Sequence, residues 1–334
     1  MSDRLRAALI SQSRSCETLG SPFMGRLMAL FAERLQFGSS VADRILEWPG
    51  DVGPTGHSVP LRLAGALHGL VLERLALTEV YPPTQVSDDT LWAEVIRAFN
   101  AHSERIHRWL DSPPQTNEVR RSAALILGAS LLSQQFGLPL VLSELGASAG
   151  LNLNFDRYRL GTYGAPDSAV SLTPDLAGPL PPVSALNVID RAGVDLNPLD
   201  PNKDKLRLLA YLWPDQPERL ALTRAALALG PPKPDRGDAA KWLETRLNKP
   251  RQGALHLVYH TVAWQYFPTE TKQSCKTTLA RAAKNATPDA PIAHLSMEAD
   301  KIQDGAALSL TTWPEGKTET LARVDFHGRW VRFI

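Results

Sequence analysis

The stretch LVLSELGASAGLNLNFDRY, residues 140–158, decides how this chain is read. With the proline before it, PLVLSEL is a short apolar run of the kind that forms a strand buried on both faces in a parallel sheet. GASAG follows, Gly146 to Gly150. Those letters fit G-x-S-x-G, the strained turn that presents a serine nucleophile in hydrolases. They also fit E-x-G-x-x-x-G, in which Glu144 and two glycines close a strand and let the backbone approach a nucleotide-type cofactor. Ser148 is a nucleophile in the first case and loop lining in the second.

The flanks separate the two. The nucleophile strand of a hydrolase follows other strands, one of which carries an oxyanion loop. Here residues 1–137 show helical spacing and no convincing strand. Ser21-Pro22 is an N-cap followed by proline at the first helical position. Phe23, Leu27, Leu30, Phe31 and Leu35 then recur at helical intervals. Leu91, Val95, Phe99, Ile106 and Leu110 form a second stripe, and Gly137 suits a helix C-cap. A serine hydrolase would need Ser148 with Asp238 and His260 or His294 as its triad.

After Gly137 the period changes. Apolar runs at 191–196, 254–260 and 291–297 alternate with helical stretches near 203–229, 238–247 and 270–285, which predicts βαβ units and a parallel sheet. The segments 307–313, 318–326 and 329–334 are separated by turn residues and predict antiparallel strands at the C-terminus. The expected fold is therefore α/β: an all-helical region over 1–137, then a Rossmann-like domain over 138–334 with a mostly parallel sheet and antiparallel C-terminal strands. Residues 161–182 are rich in Gly and Pro and predict an ordered excursion or lid.

Composition narrows the function. At 43% hydrophobic and 21% charged residues the chain is an ordinary globular sequence. A net charge of +1 gives no pull toward nucleic acid or an anionic membrane. Cys16 and Cys275 are far apart, so a disulfide framework is not expected, and no C-x-x-C spacing exists. The histidines lack the ligand spacing of a metal site. The polar start and the interrupted apolar run at 123–142 suggest neither a signal peptide nor a membrane span, so a cytoplasmic protein is expected.

A cofactor loop finds its companions in chain order. Gly146, Ser148 and Gly150 would line it, with Glu144 and Asn152 holding loop or ligand. The helix expected next would offer free amides to an anionic group, such as the methionine carboxylate of S-adenosylmethionine. Asp195 ends the second strand, where a carboxylate accepts ribose hydroxyls. Asp238, with Ala239 beside it, follows the third strand and would meet the adenine. His260 ends the fourth strand and would face the crevice as a general base. The third glycine of the dinucleotide fingerprint is missing, which disfavours a nicotinamide enzyme.

The motifs QTNEV (115–119), ELGASAGLNLNFDRY (144–158), GVDLNPLD (193–200), WPDQPERL (213–220), GDA (237–239) and YHT (259–261) carry a resemblance. The chain resembles an uncharacterised bacterial family, one of the domains of unknown function, related to class I S-adenosylmethionine-dependent methyltransferases. The resemblance implies a methyltransferase-like domain over 138–334 and S-adenosylmethionine as cofactor. It brings Asn117 from the helical part to the cleft, although Thr116 or Asn117 also suits a helix N-cap. Arg157 and Tyr158 are candidates for binding a small-molecule acceptor; the alternative is a buried Asp156–Arg157 pair fastening the excursion. Asp195 lies 45 residues beyond Gly150, against the usual spacing of about 20. An inactive ligand-binding or interaction module on the same scaffold is the other expectation.

Overall fold

The computed structural model describes residues 1–302 and 304–334. The chain forms two units: Met1–Thr116 with Asp204–Ala221, and Asn117–Lys203 with Leu222–Ile334. The helices are α1 (Asp3–Thr18), α2 (Pro22–Arg34), α3 (Ser40–Leu46), α4 (Val59–Leu72), α5 (Asp88–Ala101), α6 (Ser103–Leu110) and α7 (Ser122–Phe136). After the first strands come α8 (Lys205–Ala210), α9 (Pro217–Ala228), α10 (Ala239–Arg246) and α11 (Thr269–Ala283).

The first unit is helical for local reasons. Ser21, Ser39 and Ser87 cap α2, α3 and α5, each hydroxyl accepting a backbone N–H of the first turn. The expected stripe Leu91, Val95, Phe99, Ile106 and Leu110 is fully buried. It runs over two helices rather than one, because His102 leaves helical geometry (φ −126°, ψ 27°). Residues 204–221 complete this unit. Trp213 joins its hydrophobic core, and the Asp215 carboxylate accepts from Ser21 Oγ and from Phe23 N (2.9 Å).

That division differs from a boundary after Gly137. Helix α7 packs on sheet elements of the second unit, where Gly128 gives its backbone close access to Leu295. The segment 204–221 falls in the helical stretch expected near 203–229 and Trp213 is core as its type suggests, but nothing in the spacing shows that Trp213 and Asp215 belong to the helical unit.

The second unit is built on β1 (Leu140–Leu145), every residue of which is buried. The other strands are β2 (Arg159–Leu160), β3 (Tyr163–Gly164), β4 (Ser171–Leu172), β5 (Asp175–Ala177), β6 (Val188–Asp195) and β7 (Asp235–Arg236). Then follow β8 (Leu255–Thr261), β9 (Ile292–Glu298), β10 (Ala306–Trp313), β11 (Lys317–Val324) and β12 (Trp330–Phe333). Nine of them form one sheet in the order β5-β12-β11-β10-β9-β8-β1-β6-β7. From β7 to β9 all pairs are parallel, and β9 to β12 is an antiparallel meander, as the turn-separated C-terminal segments predicted.

In the parallel half the chain winds outward from β1 to β6 and β7, then returns to β8 and β9 on the other side. The winding reverses between β1 and β8, and in open α/β sheets such a reversal is the place where a crevice forms at the carboxyl ends of the strands. The crossover from β1 to β6 is irregular. In place of the expected α-helix, a seven-residue 3-10 helix covers Leu151–Arg157, with a kink at Asn154. The Gly/Pro-rich excursion is ordered: β2, β3 and β4 form a small sheet, and β5 pairs with β12 at the far edge of the main one.

Candidate functional site

The glycine loop begins where β1 ends. Gly146 and Gly150 take φ of +74°, and Ser148 takes +53° without being glycine. A left-handed serine is a strained conformation that surrounding bonds must hold. Gly146 N and Ala147 N donate to Val194 O (2.9 and 3.0 Å), and Leu199 N donates to Ser148 O (3.0 Å). Ser148 N donates to Asp195 Oδ2 (2.9 Å), whose Oδ1 accepts from Asn197 N (2.9 Å). Asp195 thus meets the glycine loop despite its distance in sequence, because β6 lies beside β1.

The QTNEV segment locks the other side of the loop. Asn117 Oδ1 accepts from Ala149 N (3.3 Å) and Leu151 N (2.9 Å). Asn152 accepts from Ser122 Oγ (2.9 Å) and donates to Glu118 O (3.3 Å). Asn117 is therefore no helix cap; Glu118 fills that place by accepting from Arg120 N. The amides expected to await an anionic ligand already have an acceptor, and a 3-10 helix of this length lacks the aligned dipole of a regular helix.

The glycines make room for protein. A Cβ on Gly150 would lie 2.2 Å from Pro232 O, so the proline-rich segment 230–235 crosses directly over the loop. A Cβ on Gly146 would lie 2.6 Å from Ala263 Cβ, on the chain that leaves β8.

Two polar groups beneath the loop stay unsatisfied. Glu144 is 2% exposed and its Oε2 has no hydrogen-bond partner among the described residues. Burial first, then Asp195, hold its carboxyl well above the usual range, against the pull of Arg121. Ser148 is 5% exposed and its Oγ likewise lacks a partner.

His260 does not face the crevice. It is 2% exposed, its ring stacks on Trp264 (4.8 Å, 14°), and both nitrogens are engaged. Nδ1 lies 2.7 Å from Glu298 Oε1, and Nε2 lies 3.1 Å from His294 Nε2. The same Glu298 oxygen accepts from Ala263 N (2.9 Å) and Trp264 N (3.0 Å). Burial would raise the Glu298 carboxyl, but His260 and those two amides outweigh it and leave the carboxyl low. His294 is pushed down to about 3 by burial and by His260. Together these groups clasp the turn after β8, where β-branched Val262 is held at φ +54°.

The remaining candidates fall into place as structure. Asp238 caps α10, accepting from Ala240 N and Lys241 N (3.1 Å each), and its other oxygen accepts from Thr271 Oγ1 (2.9 Å). Ala239 is the buried first residue of that helix. Arg157 is exposed, whereas Tyr158 is buried with its hydroxyl on Leu151 O. The fastening ion pair exists with a different partner: Arg191 grips Asp156 in bidentate fashion (2.7 and 2.9 Å). Asp238, His260 and His294 have these other partners, and none of them bonds Ser148, so the structure does not assemble the hydrolase triad.

Sequence reasoning missed Glu298 and Pro232. Glu298 carried a usable signal, an acid at the end of the β9 apolar run. Pro232 had none, since its contribution is a carbonyl oxygen.

The family described as an uncharacterized protein conserved in bacteria (DUF2332) matches residues 6–333, and the chain belongs to that family. No curated protein and no solved structure matches it. No helix among the described residues is long and apolar enough to cross a membrane.

Proposed function

We propose that the crevice between β1 and β8 binds S-adenosylmethionine in a Rossmann-like, methyltransferase-type domain, and that the chain transfers its methyl group to a small-molecule acceptor. One observation carries this reading: the carboxylate ending the second parallel strand lies against the glycine loop at the point where the winding reverses, with Asp195 Oδ2 2.9 Å from Ser148 N. A carboxylate offers about four lone-pair sites, so after two amides Asp195 still has capacity for ribose hydroxyls. Leu196 beside it is 63% exposed and offers an apolar surface to a base. Glu144 and Ser148 are buried polar groups still wanting partners, and they suit the amino-acid end.

When bound, S-adenosylmethionine supplies an already electrophilic methyl group. The chain's share is then to hold an acceptor in line and exclude water. His260 serves by fixing the turn of Ala263 and Trp264 through Glu298 rather than by taking a proton from substrate.

Calorimetric titration with S-adenosylmethionine and S-adenosylhomocysteine tests the proposal. Micromolar binding, weakened in Asp195→Asn, supports it; no binding of either ligand overturns it. A second reading, a module without catalysis, is favoured by the sealed loop: Asn117 occupies the amides, and Pro232 and Ala263 fill the glycine cradle. It predicts the negative titration.

A further inference from the structure

The amino ends of the same strands carry a second polar network, independent of the crevice. Arg246, the last residue of α10, donates Nε to Ser143 Oγ (3.0 Å), Nη1 to Asp190 Oδ2 (3.0 Å) and Nη2 to Leu142 O (3.1 Å). Ser143 Oγ also lies 2.8 Å from His256 Nε2. A guanidinium only donates, so the serine hydroxyl accepts from Arg246; among the described residues the imidazole is the one remaining partner of that hydroxyl, and we assign the serine proton to Nε2. His256 is then a neutral ring with its proton on Nδ1. That nitrogen has no hydrogen-bond partner among the described residues.

His256 is 2% exposed and lines a cleft of about 20 Å³, enough for one water-sized particle. Asn248, Lys249, Arg251 and Asn285 surround it, with Ile292 on the apolar side. The charges around the ring are Lys249 and Arg251 from the lining and Arg246 behind Ser143. One carboxylate opposes them, Asp190, which Arg246 and Arg251 share (3.0 and 3.6 Å). Helix α11 contributes Ala282 to the lining and the turn after it contributes Asn285, neither charged. Burial, then Arg246 and Arg251, push the imidazole down to about 3, with Asp190 pulling the other way. An unpartnered N–H donor on the wall of a narrow cleft in a positive field is unsatisfied by an apolar occupant and repels a cation. Water would answer the donor but not the field; an anionic oxygen answers both.

We propose that this cleft is an anion site that takes one oxygen of a phosphate or carboxylate group, with His256 Nδ1–H as the donor on its wall and Lys249 and Arg251 as the cations around it. The cleft admits a single oxygen, so the rest of the ligand stays outside and the group recognised is a terminal one.

The test is NMR of the full chain with ring-labelled histidine, titrated with inorganic phosphate and separately with acetate. Sodium chloride at matched ionic strength is the control. The expected result is a saturable shift of the His256 ring signals and a rise of its pKa by about one unit, the mark of one added charge-assisted contact. Lys249→Ala and Arg251→Ala, both at exposed positions, should each weaken the effect about tenfold. Saturation by phosphate alone assigns a phosphate ligand, and saturation by acetate as well assigns the wider carboxylate class. A His256 signal that follows ionic strength only overturns the proposal, as does an unchanged titration in the two variants.

Discussion

The two ends of one sheet solve opposite problems. At the carboxyl end, side chains are spent on backbone: Asn117, Asp195, Asp238 and Glu298 all accept main-chain N–H groups. They hold turns that pass through left-handed geometry at Gly146, Ser148, Gly150 and Val262. At the amino end, side chains are spent mainly on one another, with Leu142 O as the backbone partner of Arg246. Arg246, Ser143 and His256 form a relay of directed donors, and charge accumulates around a cleft. The difference teaches that a buried polar residue at a strand end is no sign of a ligand until its partners are known. Backbone that must be held in place consumes the same residue types as a binding site.

Gly150→Ala should produce the largest effect at the carboxyl end. A left-handed non-glycine residue costs about 1–2 kcal/mol, and the clash with Pro232 O adds to it, so a loss of about 3 kcal/mol or more is expected in denaturant unfolding. Wild-type stability in that variant would mean that the 230–235 segment yields freely and the crevice opens on demand. Asn117→Ala comes next. It strips two loop amides of their acceptor and should cost about 2–3 kcal/mol. A negligible cost would remove Asn117 as the lock on the loop and strengthen its assignment to the ligand.

Two carboxyls at this end should respond to pH with opposite signs. The folded-state value of Glu298 lies below its ordinary 4.5, so its stabilisation is present above that pH and lost as pH falls through the folded value. Glu298→Gln should therefore be less stable than wild type by about 1–2 kcal/mol at pH 7, with the gap closing in acid. Glu144 lies well above 4.5, so its favourable contribution is complete below that pH and lost as pH rises toward the folded value. Glu144→Gln should match wild type in acid and exceed it by about 1 kcal/mol or more at pH 8, read from melting curves across pH. Parallel curves for both variants would break the contrast.

Much of the fold was legible in local pattern. Continuous apolar runs gave the central strands of the sheet, and their alternation with helical stretches gave parallel pairing. Turn residues between the last segments gave the meander at the C-terminus, and Ser-Pro and glycine marked helix ends. The two-residue strands β2, β3 and β4 were not legible, since so short a segment has no period, and β7 was anticipated only as the third strand ahead of Asp238. The break at His102 was missed because the hydrophobic stripe continues across it. At the site, positions at strand ends could be read but orientations could not. Asp195 was placed beside the glycine loop on the assumption of adjacent parallel strands, which the structure bears out. His260 was placed at a strand end, but nothing in YHT reveals that its ring turns toward Glu298 and His294. The role of Asn117 was equally hidden, because a residue suited to cap a helix is equally suited to hold a loop amide.

The helical unit is discontinuous, and that has a consequence for biosynthesis. Its core needs Trp213, and its second helix needs Asp215, yet all of Asn117–Lys203 of the other unit is made between Thr116 and these positions. At typical synthesis rates the first six helices must wait on the order of 5–20 s, with apolar faces uncovered, before the ribosome delivers their last partners. Met1–Thr116 is thus translated before the other unit but cannot finish folding before it, and fragments ending near residue 137 should be captured by chaperones rather than released as a domain.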